Sequence, residues 1–365
     1  MRLLRDISRV IHDRINSFAK KHKWLKKIIL SYKNKRFKYH ICVINMGESW
    51  GANFKEYFIK ENMPEKISLL KNGLDEKSVE LVDRKIDHFL NFPLQNKYSQ
   101  YFRSNRWDIS LTEEEIEEYK KFDVNYSKIM GKYKGHFNFT LQETFYFHHG
   151  LKLLPESVHS YIKDKDFIDL GAFKGDSSVV FSEYSPSIVY AFEIITSYEK
   201  IYYSNLKANN IDISKYKFIN KGVSNINSRI KFGNVVANNG SLSIGNKLDN
   251  SNHNEKNETF EVFEIELVKL DDYFKDNKNI GLIKMDIEGA EYDAILDLEN
   301  IIKNQTPVML ISIYHTPKEF FELKPLIENI NSNYKFMVRN LRLDGVPSME
   351  TALICIPKFL EADFY

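Results

Sequence analysis

The 365-residue chain has room for a full α/β domain and an appendage of about 150 residues. Its 52 basic and 50 acidic side chains nearly cancel, which argues against a polyanion binder and so against nucleic acid as a partner. With only Cys42 and Cys355, no secretory leader pattern and no apolar run near the ~20 residues that span a bilayer, a reducing, cytoplasmic setting is expected.

The charge balance breaks down at the start. Residues 1–38 carry thirteen basic side chains, from Arg2 to Lys38, against Asp6 and Asp13 alone; that net +11 leaves about −9 for the remainder of a chain whose total is +2. Leu3, Leu4, Ile7, Val10, Ile11, Ile15 and Phe18 recur at helical spacing, and Trp24, Leu25, Ile28 and Ile29 continue the stripe. Two readings fit such a basic amphipathic segment. It either lies peripherally on the anionic inner face of a membrane, or docks on its own domain with a solvated Lys/Arg face.

Residues 39–140 read as a mostly helical N-terminal region. Ile41–Ile44 has the pattern of a short strand, and Ser78–Leu90 has apolar residues three and four apart and stops before Pro93. Thr112 and Glu115 form a capping box. In Phe145-Tyr146-Phe147-His148-His149-Gly150-Leu151, adjacent imidazoles point apart on a helix or strand. An aromatic plug over a ligand, or ordinary core, is expected there rather than a metal-binding pair.

Phe167-Ile168-Asp169-Leu170 is a buried strand, and Gly171-Ala172-Phe173-Lys174-Gly175-Asp176-Ser177-Ser178 turns it sharply into a helix. Only a residue without Cβ lets the backbone approach a ligand at such a turn. The new helix offers free N–H groups, with Asp176 or Ser177 as N-cap. The spacing lacks the middle glycine of the dinucleotide fingerprint, and no Gly-Lys-Ser/Thr follows. A second strand, Ile188–Phe192, ends in Glu193, roughly 20 residues on, where a ribose-binding acid is expected. These residues look like the cofactor site of a class I S-adenosylmethionine-dependent methyltransferase.

Tyr198–Asn210 is helical, and the third strand, Tyr216–Asn220, runs into Lys221-Gly222-Val223-Ser224. Gly222 marks close backbone approach or a plain turn. Arg229–Phe232 and Phe260–Val268 are strands flanking a flexible loop at 238–258, which either gates substrate or is a surface excursion. Leu270-Asp271-Asp272-Tyr273 opens a short helix.

Leu282–Asp286 is a strand that Ile287–Glu291 turns into a helix, so Lys284, Asp286, Glu288 and Glu291 meet at one strand mouth. Crowded carboxylates raise one another's pKa and Lys284 opposes that rise, whether the cluster is functional or a structural ion-pair network. A fifth strand, Pro307–Ile313, delivers Tyr314 and His315 to the same edge, and Pro317–Ile330 is a helix opened by proline. Tyr334–Leu341 and Thr351–Ile356, around Asp344-Gly345, pair as an antiparallel hairpin.

Phe167–Ser178, Phe192-Glu193, Leu270-Asp271-Asp272 and Lys284–Glu291 together resemble an FkbM-type methyltransferase over about residues 143–357. Ile194 stands where that pattern usually has proline, which loosens the ribose turn and keeps the acid. The resemblance implies an α/β, Rossmann-like fold for residues 141–365: a mostly parallel seven-stranded sheet finished by a C-terminal antiparallel hairpin. The mostly helical N-terminal region would precede it, with residues 39–140 as a cap region that covers the cofactor and shapes the acceptor pocket.

It also implies S-adenosyl-L-methionine as cofactor. Asp169, Gly171, Ala172, Phe173, Gly175, Asp176 and Ser177 would hold the methionine side, Glu193 and Ile194 the ribose, and Gly222 and Val223 would lie beside the adenine. Asp286 would sit between cofactor and acceptor, with Lys284, Glu288 and His315 as helpers. His315 is the first choice of general base because its unperturbed pKa lies near operating pH. Alternatively Asp286, Glu288 and His315 hold Mg2+. The implied reaction is O-methylation of a sugar hydroxyl in a bacterial surface glycan or its sugar-nucleotide or lipid-linked precursor. The rivals are an inactive scaffold binding glycan or a glycosyltransferase, and an NAD-dependent oxidoreductase.

Overall fold

The computed structural model describes residues 50–91, 111–137, 142–234, 261–342 and 350–360, all within one compact unit. The expectations for residues 1–38, Ile41–Ile44 and the loop 238–258 lie outside these residues.

The strands are β1 (Asp166–Leu170), β2 (Val189–Phe192), β3 (Tyr216–Ile219), β4 (Gly222–Val223), β5 (Ser228–Asn234), β6 (Glu261–Val268), β7 (Ile280–Met285), β8 (Val308–Ser312), β9 (Tyr334–Asn340) and β10 (Thr351–Pro357). Seven of them form the main sheet in the order β3-β2-β1-β7-β8-β10-β9. Every residue of β1, β7, β8 and β10 is buried, as in strands covered on both faces. The pairs β1–β2, β2–β3, β1–β7 and β7–β8 are parallel, whereas β10 runs antiparallel to both β8 and β9. The expected hairpin is present, and its reversed strand is threaded inside the sheet rather than lying at its edge. From β1 the chain builds outward through β2 and β3, then crosses back to β7 on the other side. The order therefore reverses between β1 and β7, the place where open α/β sheets bind ligands beyond their carboxyl ends. The insertion forms a second sheet, β4-β6-β5.

Among the described residues, α1 (Trp50–Lys60), α2 (Met63–Lys71) and α3 (Glu76–Asn91) precede α4 (Glu113–Lys132), which carries the expected Thr112–Glu115 capping box. The sheet connections hold α5 (Glu156–Ile162), α6 (Asp176–Phe181), α7 (Tyr198–Ala208), α8 (Leu270–Tyr273), α9 (Glu291–Asp297), α10 (Glu299–Gln305) and α11 (Pro317–Ile330). Helices α1 to α3 pack at the β9 end of the molecule. Phe54 and Tyr57 meet Phe321 of α11, the Val338 N–H donates to the Ser78 hydroxyl at 2.8 Å, and Arg339 forks onto Asp75. They share the core of the sheet, so residues 50–91 cover its β9 edge. The Leu270-Asp271-Asp272 motif is a fastening: the Asp271 carboxylate accepts from Asn300 and Ile301 N–H (2.9 and 3.1 Å) at the start of α10.

Candidate active site at the mouths of β1 and β7

The glycine turn and the acidic corner meet directly. Gly171 has φ +81°, and a Cβ built on it would lie 1.9 Å from the Asp286 carbonyl oxygen. Asp286 N–H in turn donates to Leu170 O at 3.0 Å, and Gly171 and Ala172 N–H both donate to Phe192 O. The ends of β2, β1 and β7 are thus stitched by backbone bonds around one residue that has to be glycine. The cap differs from expectation. Gly175, at φ +86°, stands at the N-cap of α6 against the Tyr202 ring, and Asp176 and Ser177 are buried in its first turn. No side chain caps there because the backbone itself turns left-handed.

Lys284 is the central cation. Its Nζ donates to Gly171 O at 2.9 Å and lies 3.3 Å from Asp169 Oδ1. Burial pushes its pKa down, but Asp169, Asp286, Glu143 and Asp176 together hold it above the ordinary lysine value. Asp169 is wholly buried, in contact with Lys284 and with the Ser178 hydroxyl (3.3 Å). Through Lys284 it is tied to the Gly171 carbonyl and so to the turn. Burial likewise raises Asp176, with Lys284 opposing.

Glu193 braces the ribose corner. Its two oxygens accept from Phe173 and Ile195 N–H, each at 2.9 Å, and burial lifts its pKa against those bonds. Phe173 is left-handed at φ +45°. Gly222 and Val223 form β4, and the space beside Gly222 is taken by Leu267 and Ile194. Its close approach is therefore to protein.

At the acidic corner, His315 Nε2 lies 3.3 Å from Asp286 Oδ1 and 3.7 Å from Glu288 Oε2, while Nδ1 lies 3.2 Å from Glu291 Oε1. Burial disfavours its charge, yet these three carboxylates raise its pKa to about 10. In its protonated form His315 donates to these carboxylates; the neutral ring can take a proton as the general base expected from the sequence. Partial burial, together with Asp286, Glu291 and Glu350, pushes Glu288 up to about 7 against His315. Asp286, Glu291 and His315 each offer a ligand atom within 4.8 Å of one another, a group that shares Asp286 and His315 with the Mg2+ set expected from the sequence.

Two acids escaped sequence reasoning. One oxygen each from Glu143, Asp286 and Glu350 lie within 4.8 Å of one another, and burial raises Glu143 to about 7. Glu143 Oε1 also pairs with His149 Nδ1 at 2.7 Å, while His148 joins Tyr133 and Tyr184 on the other side. No spacing signal links positions 143 and 350; only the proximity of Glu143 to the aromatic-imidazole run marked it. The donor set suits a cationic ligand. Several buried carboxylates surround Lys284, and Asp286 Oδ1 has no hydrogen-bond donor among the described residues, only the ion pair with His315.

A family model described as the methyltransferase FkbM domain matches residues 169–343. The chain resembles the crystal structure of methyltransferase FkbM from Methylobacillus flagellatus KT, with 17% identity and TM-score 0.51, over 84% of this chain and 60% of that one. Fainter likenesses include a putative SAM-dependent methyltransferase from Streptococcus mutans (10% identity, 55% and 46% of the two chains, TM-score 0.33). Another is a putative methyltransferase from Streptococcus mutans in complex with SAH (12%, 55% and 96%, 0.30). The chain thus spans 60% of the Methylobacillus protein's length, and at this identity the likeness is one of fold. No curated protein matches the chain.

Proposed function

Because residues 169–343 belong to the methyltransferase FkbM family, we propose that the protein transfers a methyl group from S-adenosylmethionine to a sugar hydroxyl of a bacterial surface glycan or its precursor. One observation carries the reading: the Gly171 turn and Asp286 are in contact at the point where the strand order reverses. The Gly171–Asp176 turn, Glu193 and Asp286 would hold the cofactor. When bound, it supplies an electrophilic methyl on a sulfonium, so the protein has to align the acceptor and receive its proton. Lys284 keeps the turn and Asp169 in register. Glu288 is the proton acceptor, half-exposed and with a pKa near 7, while His315 stays positively charged and orients Asp286 and Glu288. Methyl transfer should accordingly rise with pH through about 7 and fall toward 10 as His315 loses its proton.

Calorimetry should give S-adenosylhomocysteine binding on the order of micromolar and none with NAD. Intact-mass analysis of glycan precursors from producing cells should show a methyl adduct that disappears in Asp286→Ala. NAD binding in place of S-adenosylhomocysteine would move the reading to an oxidoreductase, and cofactor binding with no adduct would move it to a scaffold.

The +11 charge of residues 1–38 supports a second element of the proposal, that the acceptor is lipid-linked and met at an anionic membrane face. Among the described residues no helix is long and apolar enough to cross a membrane. The full chain should float with vesicles containing phosphatidylglycerol and lose that binding when residues 1–38 are removed. Equal recovery with neutral and anionic vesicles would sink the membrane element alone.

A further inference from the structure

Three residues in succession stand in the left-handed region ahead of α5: His148 at φ +50°, His149 at φ +55° and Gly150 at φ +102°. Glycine adopts that course freely, but two histidines hold it only where their surroundings compel them. The compulsion comes from both sides. The His148 ring is fixed between two tyrosines, its Nε2 2.9 Å from the Tyr133 hydroxyl and its Nδ1 2.8 Å from that of Tyr184. The His149 ring is turned the other way, toward the mouths of β1 and β7. There its Nδ1 meets Glu143 Oε1 at 2.7 Å, and Lys284, Asp176, Asp169 and Asp286 are its charged neighbours. His149 is only 4% exposed, and its Nε2 has no hydrogen-bond partner among the described residues.

Resting on the reading of the Gly171 turn as the cradle of S-adenosylmethionine, we infer that His149 and Glu143 form a wall of that site and take the ammonium group of the cofactor's methionine portion. The ligand chemistry follows from the atoms. An ionised Glu143 only accepts hydrogen bonds, so the ring proton sits on Nδ1 and Nε2 keeps a lone pair. Burial disfavours a second proton on the ring. A buried lone pair without a donor is costly, and an ammonium is a group of donors only. It also brings positive charge where charge is lacking. One oxygen each from Glu143, Asp286 and Glu350 lie within 4.8 Å of one another, while Lys284 is already committed to Asp169 and to Gly171 O. The cofactor's carboxylate is disfavoured at this wall, because it would meet acids and an acceptor nitrogen.

The test is calorimetry on the full chain with three probes: S-adenosylhomocysteine, its decarboxylated form, which keeps the amine, and methylthioadenosine, which lacks the whole amino-acid portion. His149→Asn is the informative variant. Asparagine tolerates the left-handed backbone and offers an N–H near the place of Nδ1, with nothing in the place of Nε2. Glu143→Gln keeps the shape of its side chain and removes the charge. Each variant should weaken S-adenosylhomocysteine and its decarboxylated form by about tenfold or more, and methylthioadenosine by less than about twofold. The comparison is between ligands on one sample, so a general loss of structure would weaken all three alike. Equal losses for the three probes overturn the inference, and so does a loss for S-adenosylhomocysteine that spares the decarboxylated form, which would put the carboxylate at this wall. A wild type that binds S-adenosylhomocysteine, matched by both variants, sinks only the role of His149 and Glu143. A wild type that binds none of the probes would sink the reading of the turn as a cofactor cradle, and the inference with it.

Discussion

Gly171→Ala should abolish S-adenosylhomocysteine binding and destabilise the fold by about 2–5 kcal/mol. Two penalties combine. The residue sits at φ +81°, where an L side chain is strained, and its Cβ would be driven to 1.9 Å from the Asp286 carbonyl oxygen, which is backbone and cannot rotate aside. Relief requires β1 and β7 to part at their carboxyl ends, which would pull the glycine turn from the acidic corner. Denaturant unfolding measures the first loss and calorimetry the second. Gly131→Ala is the control: nothing lies within 4 Å of its Cβ, and it falls inside α4, where alanine should be neutral or slightly stabilising. Equal behaviour of the two variants would contradict the packing described for the site.

Lys284→Met is expected to be comparably severe, about 3–5 kcal/mol, with loss of S-adenosylhomocysteine binding. Methionine fills much of the same space, so the loss would be one of charge and hydrogen bonding. Asp169 and its buried neighbours would lose their common cation, and Gly171 O its 2.9 Å donor. The pH dependence has a defined sign. The folded-state pKa of Lys284 lies above its ordinary 10.5, so its stabilisation is fully present below pH 10.5 and fades only at higher pH. In the variant the uncompensated acids should take up protons as pH falls. Glu143, already raised to about 7, would be among the first, so the deficit relative to wild type should shrink from pH 8 to pH 5. Melting temperatures across that range check it, and a deficit that widens on acidification would contradict the account.

Much of this site could be read in advance because its parts are local. Gly171, Glu193 and the Lys284–Glu291 run each sit at the end of a short apolar strand, and a strand end in a parallel sheet has only one edge to go to. What escaped was set by return of the chain from a distance. Glu143 comes to Asp286 on a single π-helical turn, and Glu350 comes on the segment that re-enters the sheet as β10. Neither has a spacing rule. The surroundings of His315 were hidden for the same reason: its ordinary pKa describes the residue in water, whereas here Asp286, Glu288 and Glu291, from the turn after β7 and the start of α9, face its ring. Helices α1 to α3 show the limit from the apolar side. A stripe such as Leu81, Val82 and Ile86 announces that a partner exists, without saying that the partner is β9.

The closed β9 border has a consequence for where the folded unit begins. A sheet border without cover offers its free amides and carbonyls to any other chain and invites end-on polymerisation. Here Ser78 bonds both the N–H and the carbonyl of Val338, Leu74 bridges to Phe336, and Phe54, Leu70 and Val82 complete the interior. The stretch that matches the family model, 169–343, is therefore shorter than the stretch that folds: some forty residues far upstream cover a border that would otherwise stand open.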